Sequence, residues 1–246
     1  MWKPLAIACL LLGTPPAMAQ EGAQERTGVD LELVLLADAS GSIDAAELAF
    51  QRQGYAGAIT DPGVLGAIAQ GYDRKIALTY VEWGAHDSQD VVVPWRIIDG
   101  QASAESFAAD LLKAPRRAHG SNSIGNALTL AQKLIEENAI DGGRRVIDLS
   151  ADSAWDRGGV PMAAARASAI GADITINGLA VLCRAAACNG RPVSYDLEQA
   201  FSTLIVGGPG SFVVTADGKA QFADAVRRKL LLEVAGAFDG RRMAGR

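Results

Sequence analysis

The stretch "LELVLLADASGS", residues 31–42, joins an apolar run of strand length to a loop rich in oxygen-bearing side chains. Residues 31–37 are almost wholly apolar, which is typical of a strand buried on both faces of a parallel sheet. The loop carries Asp38, Ser40 and Ser42 at alternate positions, and a glycine between the serines permits a tight turn. This spacing can direct three oxygens toward one point. The stretch therefore predicts a central strand that ends in a ligand-binding loop.

The rest of the chain alternates between apolar runs and segments with helical spacing. The predicted strands are 31–37, 75–84, 89–98, 144–151, 173–183 and 211–216, and the predicted helices are 44–60, 103–114, 124–138, 161–172, 194–206 and 218–236. The polar turn "AHDS" joins the second and third strands as a hairpin, and Pro94 marks the third as an edge strand. The pattern predicts an α/β, doubly wound fold: a mostly parallel central sheet of about six strands, one antiparallel edge strand, and helices on both faces.

The N-terminus has the features of an export signal. Lys3 precedes an apolar core at 5–12, and Ala17 and Ala19 fit a small-residue cleavage site. An alternative, acylation of Cys9 in a lipoprotein, needs a longer apolar stretch before the cysteine. No later segment has about 18 uninterrupted apolar residues, so no membrane span is expected. The predicted division is a signal peptide at 1–19, a flexible leader at 20–29, one domain at 30–236 and a disordered tail at 237–246.

The net charge of the chain excludes some classes of binding partner, and its cysteines indicate the kind of compartment it is exported to. The net charge of −5 argues against general affinity for nucleic acid or anionic lipid. Once Cys9 is removed with the signal, Cys183 and Cys188 are the only cysteines. In the periplasm or outside the cell they are expected to form a local disulfide. The alternative interpretation is that the two cysteines bind a metal or form a redox pair. It is disfavoured because the sequence offers no further thiol or nearby histidine, and the spacing is not Cys-x-x-Cys.

Two further loops carry hard oxygen ligands at what should be the same edge of the sheet. One is the loop 120–123, with Ser121, and the other is the loop 150–153, with Asp152. Ligand crevices in such sheets lie beyond the carboxyl ends of the strands. Two carboxylates and three hydroxyls suit Mg²⁺, with Mn²⁺ or Ca²⁺ as alternatives. Zn²⁺ fits less well, because the group contains no histidine or cysteine.

The motif Asp38-x-Ser40-x-Ser42 after a buried strand, a hydroxyl residue before a helix, and Asp152 after a later strand together resemble a known site. It is the metal-ion-dependent adhesion site (MIDAS) of von Willebrand factor A (vWA) domains. The resemblance extends over about residues 30–236. Within that superfamily the chain is similar to exported bacterial proteins of unknown function, with "RRVIDLSAD" as a marker.

The resemblance implies roles for individual residues. Ser40, Ser42 and Ser121 would bind the metal directly, while Asp38 and Asp152 would act directly or through water. A carboxylate of a partner protein would complete the coordination. The family commonly has Thr at the position of Ser121 and Thr-Asp-Gly in the third loop. These departures remove no oxygen ligand, but they put the metal affinity in question.

Several residues allow more than one interpretation. Ser123 competes with Ser121 as a ligand, whereas Asp44 is better explained as a helix cap. Asp148, inside an apolar strand, either orients a ligand or pairs with a neighbouring arginine. His119 lies beside the second loop and either lines the crevice or is a solvent-exposed loop residue. Trp155 either packs internally or forms the rim of a docking surface.

The favoured function is a binding module and not an enzyme. The first alternative is a metal-dependent hydrolase in which Asp38 or Asp152 activates water. It is disfavoured because the sequence has no nearby His-Asp pair, no Gly-x-Ser-x-Gly elbow and no phosphate-binding loop. Ser40 as a nucleophile would lack a base. The second alternative is a metal-free scaffold with a degenerate site.

Overall fold

The structure is a computed structural model, and it describes residues 26–182 and 193–244. The predicted signal peptide at 1–19 and the predicted disulfide between Cys183 and Cys188 lie outside the described residues. Within the described part, no helix combines the length and apolar character that a membrane span requires.

The chain alternates between strands and helices as the sequence predicts. The strands are β1 Thr27–Val29, β2 Leu31–Asp38, β3 Ile76–Trp83, β4 Gln89–Ile98, β5 Ile140–Gly142, β6 Arg145–Ala151, β7 Thr175–Leu182 and β8 Val213–Asp217. The helices are α1 Ala45–Ile59, α2 Pro62–Ala69, α3 Gln101–Lys113, α4 Ile124–Glu136, α5 Met162–Gly171, α6 Leu197–Ala200, which continues as a π-helical turn at Phe201–Ile205, and α7 Lys219–Ala244.

Six strands form the central sheet in the order β4-β3-β2-β6-β7-β8. β2 pairs in parallel with β3 and β6, and the pairs β6–β7 and β7–β8 are also parallel. β4 pairs antiparallel with β3 at the edge of the sheet, where the missing N–H of Pro94 is tolerated. The predicted fold class is therefore confirmed, including its antiparallel edge strand.

Apolar side chains of β2 pack into the core on both faces of the sheet. Leu33 and Leu35 pack in a cluster with residues of α1, α3 and α7, whereas Val34 and Leu36 pack in a second cluster with residues of α4 and α5. Successive side chains of a strand point to opposite faces of a sheet, so an uninterrupted apolar run is what a sheet covered on both sides requires. Helices on both faces of the sheet are thus confirmed.

The structure corrects the sequence analysis at short or terminal elements. Residues 27–29 of the predicted leader form β1, which pairs with β5, and three-residue strands show too little periodicity to be recognised. α2 was not predicted, although Asp61 caps it and Pro62 occupies its first turn. The last helix, α7, extends to residue 244, beyond the predicted helix end at 236.

Candidate metal centre

The three oxygen-rich loops meet at one edge of the sheet. β2 and β6 are parallel neighbours, so the loops that follow them leave the sheet on the same side. The Gly41 N–H donates a 2.7 Å hydrogen bond to the Gly120 carbonyl, which joins the first loop to the second. Asn122 Nδ2 donates to Ser153 Oγ at 3.0 Å and lies 3.5 Å from Asp38 Oδ2. The second loop therefore touches both of the others.

Asp38 is a buried carboxylate with no cationic partner among the described residues. It is 1 % exposed, and its Oδ1 accepts a 2.8 Å hydrogen bond from the Ser40 N–H. Burial, followed by the charge of Asp152, raises the pKa of Asp38 to about 7, although hydrogen bonds from Ser40 lower it in part. Within residues 26–182 and 193–244, no lysine or arginine forms an ion pair with Asp38. Two carboxylates thus lie close together without internal compensation.

Of the two hydroxyl groups in the first loop, one is buried and one is accessible to solvent. Ser40 is fully buried, and its Oγ lies 3.1 Å from the Oγ of the exposed Ser42. Burial raises the pKa of the half-buried Asp152, and the nearby hydroxyls of Ser42 and Ser153 lower it. The side-chain oxygens of the site therefore extend from the buried Asp38 to the exposed Ser42, so a ligand can reach them from solvent.

Arg116 holds the first loop, and sequence analysis did not identify it. Its guanidinium donates to the carbonyl oxygens of Ala39 at 2.7 Å, Ser40 at 3.1 Å, Ile43 at 2.8 Å and Ala118 at 3.2 Å. These hydrogen bonds hold the backbone segment that carries Ser40 and Ser42. The sequence "PRRAHG" has two adjacent arginines, and nothing local indicates which one folds back onto the loop.

The structure distinguishes the two serines of the second loop. Ser123 is fully buried, and its Oγ lies 3.1 Å from Asn126 Oδ1 and 3.0 Å from the Gly158 carbonyl. Ser121 is exposed and directly follows Gly120, the residue that contacts the first loop. The hydroxyl of Ser123 therefore has an internal structural role, whereas that of Ser121 is accessible.

The structure also describes the surroundings of Asp44 and His119. Asp44 caps α1: its carboxylate accepts from the Glu47 N–H at 2.8 Å, and Glu47 accepts from the Asp44 N–H at 3.1 Å. His119 is an exposed loop residue, with Nδ1 2.9 Å from the Arg117 carbonyl and 3.1 Å from Ser88 Oγ.

Asp148 forms a separate site, which corrects the sequence analysis. Its Oδ1 lies 2.5 Å from Lys229 Nζ in the interior, so its ionic partner is a lysine and not a neighbouring arginine. Lys229 is on α7, far away in the sequence. Local sequence patterns carry no signal for a pair of this kind.

The donors suit a small hard cation. They comprise two carboxylates, Asp38 and Asp152, together with hydroxyls, and oxygen donors are those that Mg²⁺ prefers. No group of three or more His, Cys, Asp or Glu side chains within the described residues forms a metal cluster. The donors named above include no thiolate and no imidazole. The buried charge of Asp38, which has no internal cation, fits a bound divalent ion.

Comparisons with known proteins agree with this architecture. A sequence family described as "Protein of unknown function (DUF1194)" matches residues 28–238. No curated protein matches the chain. Among solved structures, proximal thread matrix protein 1 from the mussel byssus, with a zinc-occupied MIDAS motif, is similar at a TM-score of 0.61 and 15 % identity; the match covers 86 % of this chain and 49 % of that one.

Two bacterial structures share the same fold. A von Willebrand factor type A protein from Catenulispora acidiphila matches at a TM-score of 0.56 and 16 % identity, over 85 % of this chain and 43 % of that one. The conserved hypothetical protein BatB from Bacteroides thetaiotaomicron matches at a TM-score of 0.53 and 15 % identity, over 85 % of this chain and 99 % of that one. The chain spans about half the length of the mussel protein. At these identities the likeness shows the fold, which is that of a vWA domain.

Proposed function

The chain belongs to the DUF1194 family of proteins of unknown function, and we propose that it is an exported binding module that recognises an acidic group of a partner protein through a divalent metal. The observation that carries this proposal is the buried, cation-free carboxylate of Asp38 beside Asp152. Burial and like-charge repulsion both disfavour two ionised carboxylates at this place, and a bound cation would relieve both effects.

The residues that would hold the metal are Asp38, Ser40, Ser42, Ser121 and Asp152. Mg²⁺ is the preferred ion, with Mn²⁺ or Ca²⁺ as alternatives, since all the donors are oxygens. The bound ion supplies an electrophilic position that a carboxylate of the partner can occupy. The zinc-occupied MIDAS motif of the mussel protein supports metal binding in this fold.

A binding role is favoured over hydrolysis. The Ser40 hydroxyl contacts Ser42, and no histidine of the described residues lies within hydrogen-bond distance of it. A serine nucleophile needs such a base. The alternatives remain a metal-dependent hydrolase with Asp38 or Asp152 at its centre and a metal-free scaffold. The N-terminal signal pattern supports export to the periplasm or beyond.

The test is thermal melting of the purified protein during titration with Mg²⁺ and Mn²⁺, with chelator as the zero point. At about a hundredfold excess over Kd, the metal should stabilise the wild type by about 2.7 kcal/mol, or roughly 5–10 °C. Asp38→Ala should abolish this response. In chelator the same variant should be as stable as the wild type or slightly more stable, because a like-charge contact is removed.

Matched variants locate the site. Asp110→Ala, which removes an exposed carboxylate on α3, should respond to metal as the wild type does. Ser121→Ala should weaken the response, whereas Ser123→Ala should lower stability in chelator and keep the response. A wild type that ignores both metals, or an Asp38→Ala protein that responds normally, would contradict the proposal.

A further inference from the structure

A rigid loop beside the metal centre presents an exposed aromatic side chain. Residues 152–160, called here the Trp155 loop, follow β6 directly, and Trp155 is 52 % exposed. The Asp156 carboxylate accepts hydrogen bonds from the Gly125 N–H at 3.1 Å and the Met162 N–H at 2.8 Å. One side chain thereby ties the loop to the first turns of α4 and α5.

The second half of the loop is fixed as well. The Val160 N–H donates to Asn126 Oδ1 at 2.8 Å. Gly158 and Gly159 have φ values of +75° and +73°, and a Cβ on Gly159 would lie 1.9 Å from Asn126 Oδ1. Only glycine fits such a turn without strain. An exposed aromatic residue on a fixed backbone loses little conformational entropy when it binds a partner, and interface hot spots are rich in tryptophan and arginine.

Arg157 stacks on this tryptophan and has no carboxylate partner among the described residues. Its guanidinium carbon lies 5.1 Å from the centre of the Trp155 ring, and the residue is exposed. Other exposed arginines nearby differ: Arg117 lies 3.6 Å from Asp90, and Arg116 donates to backbone carbonyls. Arg157 therefore offers a positioned cation with free donors, which can bind a carboxylate through two parallel hydrogen bonds.

The stacked pair adjoins the metal ligands. The Arg157 N–H donates to the Asn122 carbonyl at 2.8 Å, and the side chain of Asn122 reaches toward Asp38. On the other side, the Ala154 N–H donates to the hydroxyl of Tyr195 at 2.9 Å. Burial raises the pKa of Tyr195, the hydrogen bond from the Ala154 N–H lowers it in part, and the charge of Asp152 raises it. A ligand at the metal centre thus lies next to an aromatic and cationic rim.

We infer that Trp155 and Arg157 select the partner, and that the partner presents an acidic peptide segment with at least two carboxylates. One carboxylate goes to the metal centre, a second goes to Arg157, and an apolar side chain of the segment packs on Trp155. The inference rests on the proposed function for the first carboxylate. The second carboxylate follows from charge complementarity with the unpaired guanidinium.

The first stage of the test is selection of random short peptides, displayed on phage, against the full protein in millimolar Mg²⁺. We expect a consensus with two acidic residues and a neighbouring apolar residue, and no enrichment in chelator. The best peptide is then synthesised with a fluorophore, and its Kd is measured by anisotropy. A second peptide carries Gln or Asn in place of the acidic residue that does not require metal.

The second stage measures coupling between protein and peptide. The acid-to-amide peptide should bind the wild type about tenfold more weakly, or roughly 1.4 kcal/mol. Arg157→Gln should bind both peptides equally, because their difference reports the Arg157 contact. Trp155→Ala should weaken both by about tenfold. Arg228→Glu, which reverses an exposed charge on α7, is the control and should leave both affinities unchanged.

The outcomes separate this inference from the proposed function. Metal-dependent peptides with a single acidic residue, bound equally by the wild type, Arg157→Gln and Trp155→Ala, would overturn the rim inference alone. Absence of any metal-dependent peptide, or selected peptides bound equally by Asp38→Ala, would overturn both. Both rim residues are exposed, so thermal melting should show that their variants remain folded.

Discussion

Two buried aspartates on neighbouring strands differ in whether a cationic side chain lies beside them. Asp38 at the end of β2 and Asp148 within β6 are each 1 % exposed, and burial raises the pKa of each to about 7. Asp148 lies 2.5 Å from Lys229 Nζ, whereas Asp38 has no cationic partner among the described residues. One carboxylate is compensated from within the fold, and the other remains open to compensation from outside.

The internal cluster comprises Asp148, Lys229 and Glu233. Lys229 Nζ lies 2.6 Å from Glu233 Oε1, and Asn177 Nδ2 donates to the same oxygen at 3.2 Å. These side chains are 0–1 % exposed. The cluster joins β6 and β7 to α7 beneath the sheet. The cluster is closed to solvent and contains its own cation, whereas the group at the end of β2 has an accessible hydroxyl on Ser42 and no cationic partner among the described residues. We therefore assign ligand binding to the second region.

Removal of the internal cation should have the largest effect. Lys229→Met leaves two buried carboxylates unpaired, and the free energy of unfolding should fall by about 3–5 kcal/mol, or roughly 6–20 °C in melting temperature. The triple variant Asp148→Asn, Lys229→Met, Glu233→Gln restores neutrality and should recover much of this loss. Chemical denaturation of both proteins in chelator measures the effect. Equal losses in the two variants would show that packing, and not charge, holds the cluster.

The pH dependence of stability should come next in size. The folded-state pKa of Asp148, about 7, lies above the unfolded value near 3.9, so the folded state binds more protons between these values. Stability from this group is fully present below pH 4 and is lost as the pH rises through 7. We expect the wild type in chelator to lose at least about 1 kcal/mol from pH 5 to pH 8, by denaturant unfolding.

Asp148→Asn should remove about half of this slope, because Asp38, whose pKa burial also raises to about 7, still titrates in chelator. Asp110→Asn, an exposed position, is the control and should leave the profile as it is. If Asp148→Asn retained the full wild-type dependence of stability on pH, the internal cluster would not be the region that titrates. The contrast between Asp148 and Asp38 would then be unsupported.

The smallest expected effect concerns the support of the open region. Arg116→Ala removes the hydrogen bonds to the first loop and should raise the Kd for Mg²⁺ about three- to tenfold, since the serine hydroxyls are no longer held in place. Arg116→Lys keeps the charge but cannot reach several carbonyls at once, so it should restore only part of the affinity. Metal titration followed by melting temperature provides the measurement. A wild-type Kd in Arg116→Ala would show that the loop is held without it.

Most of the candidate centre follows from local pattern. Asp38, Ser40 and Ser42 sit at alternate positions after an apolar run, and Asp152 follows another such run; parallel neighbouring strands bring these ends together. The cap at Asp44 follows from its spacing to Glu47. By contrast, the choice between Ser121 and Ser123 depends on which hydroxyl is used in the interior, and the hydrogen bonds of Ser123 come from residues far along the chain.

The sequence by itself determined the alternation of strands and helices, the mostly parallel sheet and the oxygen-rich loops at its edge, because these depend on periodicity and on spacing within a few residues. Only the tertiary structure decided that Lys229 neutralises Asp148, that Arg116 and not Arg117 binds the first loop, and that Arg157 stands unpaired on Trp155 beside the centre. Charge compensation acts through space over a few ångströms, and the residues that provide it are brought together by packing, whatever their separation along the chain.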